Sequence, residues 1–235
     1  MARPTASISA QITTNNTTQT PPATARAMIV FLAGNPASGT TTFTHAMTGV
    51  TFGSKALTGP DQNRTSVASH MCTFSLFDYA QFRGRSSDTL SFSGGTMGTT
   101  TAGTYRAYVV WLLHPTHSVA SSGASAGAAQ SVGNGATLSV TATVGVGVDA
   151  ILLTGLRCNT STIGLVASLA GQSHLTDTAF QFGHVKIDQE NTTGNQAEGF
   201  TNNSGAPLTF AESGYGAKEG TPIPKFQGGR LWVFG

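Results

Sequence analysis

The sharpest pattern in the chain is Thr137 to Val148, TLSVTATVGVGV, in which Leu138, Val140, Ala142, Val144, Val146 and Val148 alternate with Thr, Ser and Gly. A period of two puts every apolar side chain on one face of an extended segment, so a half-buried strand is predicted there. AILLTGLRC follows Asp149 without a turn pair, which predicts a bend or bulge around Gly145 and Gly147. Further strand-length apolar runs cover 26–33, 67–77, 89–92, 105–113, 163–169, 179–188, 207–210 and 230–234. They are separated by turn chemistry: Gly-Asn-Pro, Ser-Gly-Gly, Asn-Asn-Ser-Gly and Gly-Gly. No long segment carries an apolar face at helical spacing. About ten short strands with turns between them predict two packed antiparallel sheets, an all-β, jelly-roll-like sandwich over residues 26–235.

Two stretches fall outside this pattern. Residues 1–25 hold a short alternation of Ile8, Ala10 and Ile12, then a Thr/Asn/Pro tract. So few apolar side chains do not offset an ordering cost of about 1–2 kcal/mol per residue. The segment is therefore expected to be an extended arm that adds a strand to the sheet edge of a neighbouring subunit. Residues 114–135, HPTHSVASSGASAGAAQSVGNG, are expected to form a flexible Ser/Ala/Gly-rich loop.

Composition narrows the function classes. Only 9% of the 235 residues are charged, and Thr, Ser, Gly and Asn supply the polarity. A neutral, hydroxyl-rich surface carries little self-repulsion and suits proteins that pack against copies of themselves. The net charge of +2 comes without any Lys/Arg run, and Arg83-Gly84-Arg85 is the densest basic spot, so nucleic acid is not an expected partner. No apolar stretch approaches the length of a membrane span, and no membrane partner is expected. The N-terminus lacks an apolar signal-peptide core, which predicts synthesis in a cytoplasm. Cys72 and Cys158, the two cysteines, are accordingly expected to be reduced and buried.

Candidate chemistry is sparse. IVFLAGNPASGTTTF, 29–43, approaches a phosphate-binding loop, but Thr40 stands where the lysine must be, and β-branched residues follow instead of a helix. No nucleotide or other cofactor is expected. His114 and His117 form H-x-x-H, yet a metal needs a third ligand and the nearest acids in sequence, Asp88 and Asp149, are distant; no metal site is expected. His45, His70, His174 and His184 are scattered. Ser93, in SFSGG, lacks the strand-to-helix elbow of a serine nucleophile, and the ten carboxylates fall mostly in apparent turns, so no catalytic residues are expected. An exposed aromatic beside a polar loop residue would mark a ligand site. Asp78-Tyr79 and Gly214-Tyr215-Gly216 are the candidates, with Asp78, Tyr79 and Tyr215 as the contacting residues.

In overall character, and in the arm TASISAQITTNNTTQTPPATA and the stretch SGGTMGTTTAGTY, the chain resembles structural proteins of tailed-bacteriophage virions of minor capsid, decoration or fibre type. The resemblance implies a homo-oligomer, often a trimer, made in the host cytoplasm and attached to other virion proteins. The alternative class is a sandwich module that binds a surface glycan or receptor.

Overall fold

In the computed structural model, residues 4–34, 46–66, 69–84, 86–98, 103–126, 130–144, 150–158, 164–165, 171–176, 183–190, 194–201, 205 and 207–224 are described. The fold is all-β. Its centre is a sheet in the order β1 (Thr5–Ile8), β10 (Thr104–Leu113), β3 (Ala25–Gly34), β7 (Ser69–Leu76) and β6 (Thr58–Ser66), with β9 (Thr96–Met97) running parallel to β10. The ladder is otherwise antiparallel. All ten positions of β3 are buried, as are nine of ten in β10. An antiparallel sheet usually leaves one face wet and alternates accordingly; an unbroken run such as AMIVFLAG requires cover on both faces.

The two covers are different sheets. Met28, Val30, Leu32, Val109 and Trp111 pack with Val50, Phe52, Leu90 and Phe92, which belong to a small sheet of β2 (Thr17–Gln19), β8 (Asp88–Ser93), β4 (Gly49–Phe52) and β5 (Lys55–Ala56). A single helical turn, α1 (Tyr79–Phe82), seals this side by setting Phe82 edge-on to Trp111, with ring centres 5.4 Å apart. On the opposite face Ile29, Phe31, Tyr108, Val110 and Leu112 pack with Val119, Ala211, Tyr215 and Ala217. These come from a sheet ordered β11 (His117–Ala126), β19 (Leu208–Pro222), β14 (Ala150–Cys158), β17 (Gly183–Glu190) and β16 (Gly171–Thr176), with β12 (Gln130–Val132) also on β19. A further sheet, β13 (Thr137–Val144), β18 (Gly194–Thr201) and β15 (Gly164–Leu165), contacts β11, β14 and β19 through β13. The expected sandwich is therefore present with one more layer than two sheets, the central one being shared. The described pairings define a sandwich and not jelly-roll connectivity as such.

Two expectations change. The N-terminal segment is laid on its own domain: Thr5 to Ile8 pair with Leu113 to Val110, and Ile12 bridges Ala107. Between these pairs three residues of the arm lie opposite two on β10, a bulge that turns Ile12 to the other face. Ile8 consequently packs on the β11–β19 side, Ile12 is 4% exposed on the opposite side, and Ala10 is exposed. The three residues do not share a face. Polar anchors supply what the arm lacks in apolar surface. Gln11 accepts from Arg106 Nη1 and donates to the Tyr108 hydroxyl, and the Asn15 amide pairs with both the N–H and C=O of Phe92.

The second change concerns residues 114–135, which are largely strand. β11 pairs along β19, Ala and Ser against Gly, Ala and Tyr. Small side chains give no apolar alternation to read, yet their backbones complete a ladder and let two sheets approach closely. The bend at 145–149 and the strand at 230–234 lie outside the described residues.

Candidate functional site

His114 closes β10, and its surroundings explain why it is buried. Its N–H donates to Thr24 O, and its Nδ1 accepts from the backbone N–H of Thr116 at 3.2 Å and of His117 at 2.9 Å. The ring thus closes the turn into β11. An Nδ1 that accepts leaves the ring N–H on Nε2, an assignment made from this hydrogen bonding. The β11–β19 register then brings in Glu219: Val119 is opposite Glu219 and His117 opposite Pro222. His114 Nε2 lies 3.2 Å from Glu219 Oε2, and His117 Nε2 lies 3.4 Å from Oε1. The first approach is short but poorly aligned, since Oε2 is buried without a hydrogen bond of good geometry.

The third ligand that H-x-x-H lacked in sequence is thus supplied across a strand ladder. His114, His117 and Glu219 present donor atoms within 4.8 Å of one another, a two-histidine, one-carboxylate set of the kind zinc takes. The donor chemistry argues otherwise. A metal-bound imidazole donates its second N–H to an acceptor, whereas the second nitrogen of His114 faces two backbone donors. Binding through Nε2 would set three N–H groups against one another and open the turn. The cluster fits a polar clamp joining β10, β11 and β19.

Beside the clamp opens a cleft of about 570 Å³, bordered by Arg26, Tyr79, Pro115, His117, Pro222 and Ile223. Arg26 is 7% exposed. Its Nη1 donates to Ala25 O at 2.8 Å and its Nη2 to Pro115 O at 3.3 Å, while Nε is buried without a partner. Its guanidinium lies 4.7 Å from the centre of the Tyr79 ring. Burial lowers its pKa from the ordinary arginine value, and the opposing influence comes from Tyr79. No carboxylate pairs with it among the described residues.

The expected ligand residues separate. Asp78 is the N-cap of α1, accepting from Ala80 N–H and from the Gln81 amide. Tyr79 borders the cleft, its ring centre 4.7 Å from the Arg26 guanidinium and 5.9 Å from that of Arg83. Tyr215 is not in an exposed turn: it is 5% exposed in mid-β19, stacked on Phe77 at 5.6 Å. Its flanking glycines are buried strand residues that bring β19 close to the central sheet, where an exposed loop was expected. His70 is fully buried edge-on to Tyr105. Cys72 is free and fully buried, its thiol pKa pushed well up by desolvation. Residues 35–45, including Thr40 and His45, and the side chains of His174, His184 and Cys158 lie outside the described residues.

Sequence reasoning missed Arg26 and Glu219. One sits inside an apolar run and the other in a Gly-rich segment, and only the fold brings each to the H-x-x-H turn. No family model matches the chain, and no curated protein or solved structure matches it. Among the described residues no helix is long and apolar enough to cross a membrane.

Proposed function

We propose that the chain is a non-enzymatic structural subunit of a virion, of capsid decoration, minor capsid or fibre type, that acts by self-assembly and attachment to a particle. The observation that carries the reading is the N-terminal strand. β1 covers one end of the β10 edge with four residues and is joined to the body through the short Ile12–Asn15 contacts. A peripheral strand of this kind can be exchanged between copies without repacking either core. The low charge and the hydroxyl-rich surface suit such packing. The test is the mass of the purified protein by analytical ultracentrifugation, with and without residues 1–20, and its binding to isolated particles. A defined oligomer that the deletion dissociates is expected. A monomer at all concentrations that binds no particle overturns the reading.

A second reading, a module for a surface glycan or receptor, is favoured by one feature, the cleft at Arg26. A buried arginine without an acidic partner is costly unless something else meets its donors.

A further inference from the structure

We propose that the Arg26 cleft binds a sugar acid, the carboxylate resting on the guanidinium. The inference deepens the glycan-binding reading and rests on it.

Arg26 offers five N–H groups, and its two carbonyl contacts use one on each terminal nitrogen. The remaining donors have no hydrogen-bond partner among the described residues, although the residue is buried. Tyr79 holds the guanidinium plane from one side. A cation that is desolvated, held in place and left with donors to spare is matched by a planar carboxylate, which meets two parallel N–H groups at once.

Three features choose among anions and bodies. Glu219 lies behind the wall, 3.4 Å from the His117 ring that borders the cleft, so a second negative charge is disfavoured and a monoanion is preferred to a phosphate dianion. The Tyr79 ring already has the Arg26 guanidinium at 4.7 Å and that of Arg83 at 5.9 Å, so cations compete with a neutral sugar for stacking on it, and charge supplies the recognition. Pro115, Pro222 and Ile223 give apolar walls, while Thr116 and His117 place a hydroxyl and an imidazole at the border. That mixture suits a ring with one apolar face and several hydroxyls. The volume of about 570 Å³ is within the range of small-ligand sites.

The experiment is calorimetry and ligand-observed NMR on the full chain with glucuronate and N-acetylneuraminate, against glucose and benzoate. Both sugar acids are expected to bind, glucose not at all and benzoate more weakly. Arg26→Gln should weaken acid binding by about ten- to a hundredfold, the scale of one charge-assisted pair. Because a buried substitution can unsettle the fold, Pro222→Glu provides a second variant: Pro222 is exposed, and a carboxylate there should compete for Arg26 and abolish binding with the melting temperature unchanged. Absence of acid binding, or glucose binding as well as glucuronate, overturns the proposal. So does benzoate binding as tightly as the sugar acids. Neutral glycans bound equally by the parent and Arg26→Gln on an array would overturn this site while leaving the glycan-binding reading in place.

Discussion

Asp61, on β6, accepts a hydrogen bond from the Ser75 hydroxyl through Oδ2. Burial raises its pKa above the ordinary 3.8, and the Ser75 bond only partly offsets that. A carboxyl whose folded pKa is raised binds more protons folded than unfolded between the two values, so folding stability falls as pH climbs from 3.8 through the folded value. Above that value the cost is constant. Asp61→Asn should remove this decline: relative to the parent, the variant gains stability as pH rises through the window. Urea unfolding at a series of pH values checks it, and parallel curves for the two proteins would contradict the sign. The role of His114 is set by hydrogen bonding, because its Nδ1 accepts from two backbone N–H groups.

The N-terminal segment is an element made partly by apolar burial and partly by side-chain amides imitating a strand. Ile12 enters the core between the central and small sheets at 4% exposure, whereas Ala10, two residues before, is exposed. Ile12→Ala should cost about 2–5 kcal/mol by leaving a cavity. Ala10→Ser should stay within about 0.5 kcal/mol, as surface changes do. Chemical denaturation measures both. An Ile12→Ala cost no larger than that of Ala10→Ser would mean that the segment does not dock on its own chain in solution.

At the scale of the whole molecule, one sheet serves two cores. Phe31 belongs to the core shared with β11 and β19, and Leu32, the next residue, to the core shared with β4 and β8. Since both cores are carried by β3, losing one removes cover from the strand that supports the other, and unfolding should be a single transition. Phe31→Ala and Leu32→Ala should destabilise the fold by about 3–5 and 2–5 kcal/mol respectively, and each should lower the midpoint of that same transition. Differential scanning calorimetry reads the outcome directly. Two separate transitions, each moved by one variant only, would show that the layers fold independently.

Local pattern alone determined the all-β class, because alternation and turn residues act over a few neighbours, and β3, β8, β10, β13 and β14 lie where their apolar runs predict. Continuous runs such as 27–33 also carried a hint of double cover, since alternation disappears when both faces are buried. The strands β11 and β12 were not legible, because Ala, Ser and Gly are compatible with loop and ladder alike until β19 supplies the partner hydrogen bonds. Tyr215 read as an exposed loop aromatic for a similar reason: its glycines signal conformational freedom, and only the approach of the central sheet turned that freedom into close packing. The candidate site depended most on tertiary structure. His114 and His117 were visible as a pair, but Glu219 reaches them through strand register, and Arg26 meets Tyr79 and Pro115 because β3, α1 and the β10–β11 turn converge. Register and convergence are set by the packing of distant segments, which no short window of sequence contains.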